Sequence, residues 1–186
     1  MRILSVEGSE KMTGTLEKTR AWYVLHTRSR FEQVVFDGLE GKSLETFLPK
    51  ITVMSKRRDR RKKIRIPLFP GYVFVKSDLN VYERLEIVKT VGVVRLVGNK
   101  DGPIPVPDDS VESLRIMVAG DNEVMTGTRF RKGDRVMVVE GPFAGVTGTF
   151  VRYKGGGRVI VSIEALGQYA AVDVSQEHVE KIPDFV

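Results

Sequence analysis

Hydrophobic and polar residues change their period several times along the first 118 residues, and each change predicts a new element. The run at 21–25 is aromatic and β-branched, which is typical of a buried strand. A helix is predicted to follow it, because Ser29 and Glu32 have the spacing of a capping box. The apolar residues on the predicted inner face of this helix are Phe31, Val34, Val35 and Leu39.

Short strands and two more helices are predicted between residues 44 and 119. The expected strands are 44–48, 51–54, 64–66, 72–75 and 93–97. Asp78 is predicted to cap the second helix, and Asp108 or Asp109 the third. The predicted inner faces are Val81, Leu85 and Val88 in the second helix, and Val111, Leu114 and Met117 in the third. This order predicts an α+β fold, a β-sheet with helices packed on it.

The last third of the chain has a different character. Short β-rich runs at 135–140, 147–153, 158–163 and 169–174 are separated by glycines and show no helical period. Four or five strands in so short a segment predict a small, closed, all-β barrel. We therefore expect a tail at 1–19, an α+β domain at 20–118, a linker at 119–128 and a barrel domain at 129–186.

Charge is distributed unevenly between the two predicted domains. The 186-residue chain has 30 Lys and Arg against 24 Asp and Glu, a formal charge of +6. Residues 1–118 contribute 22 basic and 15 acidic side chains, whereas residues 119–186 contribute 8 and 9. The basic excess centres on 56–63, so an anionic partner such as nucleic acid is expected for the first domain. A solvated hairpin tip with no partner is the alternative interpretation of the same run.

The composition offers little material for catalysis or metal binding. There is no cysteine, and the two histidines, His26 and His178, lack the neighbours of a general base. The three glycines at 155–157 do not have the spacing of a phosphate-binding loop and predict a hairpin turn. No apolar run approaches the roughly 20 residues that cross a bilayer. We therefore expect a cytoplasmic protein that is not an enzyme and has no cofactor, metal site or membrane segment.

Two stretches carry a more specific signal. The first combines WYVL at 22–25 with PLFPGYVFV at 67–75, and it resembles the core of the NGN domain of the NusG family of transcription elongation factors. The second combines GDRV at 133–136 with EGPFAGVTG at 140–148, and it resembles the KOW motif, which opens an SH3-like barrel. Both stretches occur in the order that the family has, with a linker between them.

Within the family, the chain resembles specialised paralogues of the RfaH and UpxY antiterminator types. PLFP at 67–70 is similar to the RfaH strand, although Gly71 follows the NusG form. KGDRV at 132–136, FVRYKG at 150–155 and VSIE at 161–164 are similar to the UpxY barrel. This resemblance implies a protein that binds RNA polymerase during elongation, suppresses pausing and antiterminates across long operons. We expect it to act as a monomer.

The resemblance also implies two contacts with the polymerase. In the family, an apolar depression of the NGN domain binds the clamp helices of the β′ subunit, and the matching residues here are His26, Phe69, Tyr72, Phe74 and Leu96. Phe69 is expected to be the main anchor, whereas Phe74 and Leu96 are equally consistent with core packing. A second contact reaches the β gate loop through a His-Thr-Thr segment. This chain departs from that pattern, since the matching residues are Glu83, Arg84 and Leu85.

Upstream or non-template DNA is the nucleic acid that the resemblance implies. No base-reading side chains are identifiable, so the expected contacts are with phosphates. The basic residues expected to make them are Arg28, Arg30, Arg57, Arg58, Arg60, Arg61, Lys62 and Lys63.

In the family, the KOW barrel recruits Rho or a small-subunit ribosomal protein. The matching positions here are Phe143, Val146, Leu166 and Gln168, of which only the first keeps a family aromatic. Glycines oppose helix formation by about 1 kcal/mol each, so the barrel is predicted not to refold into helices as the RfaH barrel does. Two alternatives remain open: a general NusG acting with Rho, and a ribosome-associated RNA-binding protein built around the KOW barrel.

Overall fold

A four-stranded antiparallel sheet forms the centre of the first domain in the computed structural model, which describes residues 19–54, 62–120, 124–127, 133–153 and 156–182. The elements of this domain are β1 (Ala21–Thr27), α1 (Glu32–Glu40), β2 (Thr46–Phe47), β3 (Lys50–Met54), β4 (Lys63–Pro67), β5 (Tyr72–Ser77), α2 (Val81–Lys89), β6 (Val93–Leu96), β7 (Gly98–Asn99), β8 (Gly102–Pro103) and α3 (Asp108–Ala119). The sheet order is β2-β5-β1-β6, and β3–β4 and β7–β8 form separate hairpins. The predicted α+β class is confirmed.

Helices cover both faces of this sheet. Successive side chains of β1 and β5 point to opposite faces, so each face has its own set of buried residues. Trp22, Val24 and Phe74 lie on one face and are buried against α3. Leu25 and Val75 lie on the other face and are buried against α1 and α2. The helix residues in the two cores are Val111, Leu114 and Met117 from α3, and Val35, Leu39 and Ile87 from α1 and α2.

The second domain is a six-stranded antiparallel sheet. Its strands are β9 (Met125–Gly127), β10 (Arg135–Val138), β11 (Thr147–Tyr153), β12 (Gly156–Ile163), β13 (Gln168–Val174) and β14 (Val179–Lys181), paired in the order β14-β10-β11-β12-β13-β9. Four apolar residues of β12 are buried, namely Val159, Ile160, Val161 and Ile163. Strand β9 lies inside the predicted linker and pairs with β13, so part of that segment completes the second sheet.

Helix α3 also contacts the second domain. Ser113 is 1% exposed, and its hydroxyl accepts a hydrogen bond from the Thr147 N–H at 3.0 Å. The same hydroxyl lies 3.2 Å from the carbonyl oxygen of Thr147. A Cβ at Gly145 would stand 3.1 Å from the Ile116 side chain. One apolar core thus extends from the sheet of the first domain, past α3, into the second domain.

The predicted capping box of α1 is wrong. Its N-cap residue is Phe31, and no side chain makes a cap hydrogen bond. The Glu32 carboxylate instead accepts a hydrogen bond from the backbone N–H of Gly71. The predicted aspartate cap of α3 is also wrong, since Pro107 occupies the N-cap position and again no side chain caps the helix.

Helix α2 is capped two residues later than predicted. The side chain of Asn80, not that of Asp78, accepts the Glu83 N–H at 2.9 Å. Asp78 instead accepts the backbone N–H of Asn80 at 2.9 Å. That hydrogen bond, together with one from the Asn80 side chain, lowers the pKa of the Asp78 carboxyl.

The predicted inner face of α2 is wrong as well. Val81, Leu85 and Val88 are 88%, 47% and 48% exposed, and Ile87 is the buried apolar residue of this helix. The helix is rotated because Glu83 points toward the sheet, where it accepts a hydrogen bond from Ser77 Oγ at 2.7 Å. In α1, Val34 is likewise exposed, whereas the predicted inner face of α3 is confirmed. Within the described residues, no helix combines the length and apolarity that a membrane span requires.

We expect Ser113→Ala to destabilise the protein by about 1–3 kcal/mol, because it leaves the part-buried N–H of Thr147 without its acceptor. Urea unfolding, followed by the fluorescence of the single tryptophan, Trp22, measures this loss. Ser110→Ala, on the same helix, is the matched control and should change the unfolding free energy by less than about 0.5 kcal/mol. Equal stabilities for the two variants would contradict the role given to the Ser113–Thr147 contact.

Candidate functional site

A tight turn at residues 69–72, called here the Pro-Gly turn, leads from the β3–β4 hairpin into β5. Gly71 has a φ of +84°, which glycine adopts without strain. Its peptide unit is held from two sides, since its N–H donates to Glu32 Oε1 at 2.7 Å and its carbonyl accepts the Thr27 N–H at 2.8 Å. The Tyr72 N–H closes the turn on the Phe69 carbonyl at 3.2 Å. The turn is therefore fixed to the end of β1 and to the start of α1.

Two of the predicted site residues, His26 and Tyr72, form a half-buried aromatic pair beside this turn. The register of β1 and β5 places them opposite each other, with ring centroids 5.5 Å apart and ring planes at 42°. His26 Nδ1 is buried and has no hydrogen-bond partner in the described part of the chain. Partly exposed aromatic side chains in a fixed geometry are typical anchors of protein interfaces.

Of the other three predicted members of this surface, Phe69 and Phe74 are packed inside the domain and Leu96 is half-buried. Phe69 and Phe74 are 1% and 0% exposed and pack on each other with ring centroids 6.2 Å apart. They belong to the core on the face of the sheet that α3 covers, and Tyr72 packs against this core. Leu96 lies on the opposite face, because it pairs with Leu25 and packs against the α1–α2 core.

The predicted gate-loop segment on α2 contains two exposed residues and one that is held by contacts within the domain. Arg84 and Leu85 are exposed, but Glu83 is held by Arg20 Nη1 at 3.0 Å and by Ser77 Oγ at 2.7 Å. Leu85 lies instead in a row with Val81 and Val88, which we call the α2 stripe. Sequence reasoning identified the helical period of these three residues but assigned them to the core, so it missed this exposed apolar surface.

The described basic residues lie on the loops and strands next to the Pro-Gly turn. Arg28 and Arg30 are exposed in the loop between β1 and α1, and Arg30 has a φ of +65°. Lys62 and Lys63 are exposed on the β3–β4 hairpin. The base of that hairpin is tied to α1 by a hydrogen bond from Lys50 Nζ to the Gln33 side chain. Residues Arg57, Arg58, Arg60 and Arg61 lie outside the described residues.

The predicted partner residues of the second domain do not form one exposed patch. Phe143 and Val146 are 7% and 0% exposed and belong to the core that the second domain shares with α3. Leu166 and Gln168 are half-buried at the turn between β12 and β13. In the portion of the chain that the structure describes, no group of three His, Cys, Asp or Glu side chains could hold a metal ion.

The chain is a two-domain protein, an α+β domain followed by a six-stranded β domain, with aromatic, apolar and basic side chains at its candidate surfaces. A family model described as "Transcription termination factor nusG" matches residues 20–115. The chain therefore belongs to the NusG family, with an N-terminal NGN domain and a C-terminal β-rich domain. The predicted family membership is confirmed.

Similar proteins match the chain over nearly all of their length. The protein of Thermus thermophilus is 31% identical over 179 residues, which cover 86% of this chain and 97% of that protein. The protein of Pseudomonas aeruginosa is 29% identical over 177 residues, covering 88% and 99%. Both are named "Transcription termination/antitermination protein NusG". A solved structure described as "Domain interaction in Thermotoga maritima NusG" is 23% identical, covers 89% of this chain and 98% of that chain, and has a TM-score of 0.46.

Burial makes Phe69 a structural residue, so we expect Phe69→Ala to lower the free energy of unfolding by about 3–5 kcal/mol. Urea unfolding followed by Trp22 fluorescence reports on the same core, since Trp22 is buried there. Tyr72→Ala, which removes a half-buried ring, should cost clearly less. If Phe69→Ala were as stable as the wild type, Phe69 would not be a core residue.

Proposed function

We propose that this protein is an elongation factor of the specialised antiterminator type, which binds RNA polymerase in the cytoplasm and promotes read-through of pauses and terminators in long operons. Membership of the NusG family supports the proposal, as does the name that the relatives carry. The single observation that carries it at the level of residues is the half-buried pair of His26 and Tyr72, set on the rigid Pro-Gly turn.

The contact with the β′ clamp helices is made, in this proposal, by the aromatic pair. Phe69 and Phe74 stay in the core against which Tyr72 packs, since they are almost fully buried. A rigid aromatic surface loses little conformational entropy when it binds, which favours tight association. Leu96 stabilises the opposite face of the sheet and makes no contact with the polymerase.

The contact with the β gate loop is made by the α2 stripe. Exposed apolar side chains in a row on one helix are suited to bury an apolar loop segment. Glu83 does not take part, because its carboxylate already binds Arg20 and Ser77. This contact therefore differs in chemistry from the His-Thr-Thr segment of the family pattern.

The DNA contact combines Arg28 and Arg30 with the basic β3–β4 hairpin. The charge asymmetry of the chain supports this assignment, because the basic excess belongs to the first domain. We assign no base recognition to these residues, so upstream or non-template DNA is held by its phosphates.

The second domain offers Leu166 and Gln168, half-buried at the turn between β12 and β13, as a docking surface for a ribosomal protein or for Rho. Phe143 and Val146 lie in the shared core, so they take no part in this contact. The near-neutral charge of residues 119–186 weakens the case for a ribosome-associated RNA-binding protein.

We expect the wild type to increase read-through in a single-round transcription assay with the cognate polymerase, on a long template that carries pauses and a Rho-dependent terminator. Tyr72→Ala should abolish this increase, because it removes half of the aromatic pair. Tyr169→Ala, a half-buried tyrosine of the second domain, is the matched control and should behave as the wild type. Increased Rho-dependent termination would indicate a general NusG instead, and tight RNA or ribosome binding without effect on transcription would favour the ribosome-associated alternative.

We expect the double variant Arg28→Ala/Arg30→Ala to weaken binding to duplex DNA in a salt-dependent way. Each lost phosphate contact reduces the magnitude of the slope of log K against log[salt] by about 0.9. The loss of two contacts should therefore make the slope less steep by about 2. Fluorescence anisotropy with a labelled 30-base-pair duplex at several salt concentrations measures this slope. The control is Lys89→Ala/Lys100→Ala, which removes the same charge elsewhere on the first domain; equal slopes for the two double variants would contradict a specific role for Arg28 and Arg30.

A further inference from the structure

We propose that Glu32 is a positioning residue of the polymerase-binding surface, whose carboxylate fixes the Pro-Gly turn and thereby the geometry of His26 and Tyr72. The inference rests on the proposed function, since it concerns the same surface. Nothing in the family pattern or in the sequence spacing assigns this role to Glu32, which the sequence predicts to be a capping residue.

The first observation is that Glu32 is buried at the start of a helix. It is 8% exposed, although a carboxylate is among the most costly groups to remove from water. Its position in the first turn of α1 places it near the partial positive charge of the helix N-terminus, which stabilises a negative side chain. A buried carboxylate needs hydrogen-bond donors as well, and the donor that the structure gives it is the N–H of Gly71, 39 residues away in sequence.

The second observation is what this hydrogen bond holds. Gly71 is free to adopt many backbone conformations because it has no side chain. Its N–H is fixed by Glu32 at 2.7 Å and its carbonyl by the Thr27 N–H at 2.8 Å. Tyr72 directly follows Gly71, and His26 directly precedes Thr27. The β1–β5 register places the two rings opposite each other, and the two hydrogen bonds of Gly71 hold the backbone next to both of them.

Loss of the Glu32 hydrogen bond releases one side of this turn. The chain then populates several conformations of Gly71, and only a fraction of them presents the rings as the bound state requires. The apparent dissociation constant rises in inverse proportion to that fraction. We expect Glu32→Leu, which has no acceptor, to weaken binding to core RNA polymerase about tenfold.

The experiment measures the affinity of the full chain for purified core polymerase, at a temperature where every variant is folded. Glu32→Gln retains a side-chain carbonyl that can accept the Gly71 N–H, so it should bind within about threefold of the wild type. Val35→Ala is the matched control for lost stability, because Val35 is fully buried on the same helix and lies in the α1–α2 core. It should leave the affinity unchanged.

A double-mutant cycle then tests whether Glu32 acts through the turn. In a Tyr72→Ala background, Glu32→Leu should cause much less than a tenfold further loss of affinity, because Tyr72, which directly follows the released glycine, is already absent. A full tenfold loss in that background would overturn the inference, as would equal losses for Glu32→Leu and Val35→Ala.

The two proposals fail in different ways. If Tyr72→Ala weakens binding and Glu32→Leu does not, the positioning role is overturned and the polymerase-binding surface stands. If Tyr72→Ala itself leaves the affinity unchanged, the surface is wrong, and the role of Glu32 in polymerase binding is overturned with it.

Discussion

The antiparallel pairing of β1 with β5 is the constraint on which the rest of the first domain depends. Because side chains alternate along a strand, this one register sends Trp22 and Phe74 toward α3, and Leu25 and Val75 toward α1 and α2. A shift of one residue would exchange the two cores. The aromatic pair is the last pair in the register, so the same alternation that builds the cores also sets the candidate site.

Most helices and strands could be predicted from the sequence, because the spacing of apolar residues in each one follows from the face that it packs into the core. The orientation of α2 could not be predicted in this way. Its apolar residues recur at helical spacing, but periodicity identifies a stripe without stating what the stripe faces. The buried side was decided by Ile87 and by the hydrogen bond from Ser77 to Glu83, a contact between two elements that the local pattern does not contain.

The same distinction applies to the candidate site. His26 and Tyr72 could be proposed from motif resemblance, and the structure brings them together. Leu96 could not be assigned to a face, because this depends on its pairing with Leu25 and on an irregularity between His26 and Thr27 in the β1–β6 register. The sequence indicates Glu32 as part of a capping box, whereas in the structure its carboxylate accepts a long-range hydrogen bond from the Gly71 N–H.

The first turn of α1 links the surfaces that the proposed function requires. Glu32 binds the Pro-Gly turn, and its neighbour Gln33 accepts a hydrogen bond from Lys50 at the base of the basic hairpin. Arg28 and Arg30 lie in the loop that leads into the same turn of helix. A protein-binding surface and a phosphate-binding surface that share one rigid support have a fixed separation. In the proposed function, binding one partner would therefore orient the protein for the other.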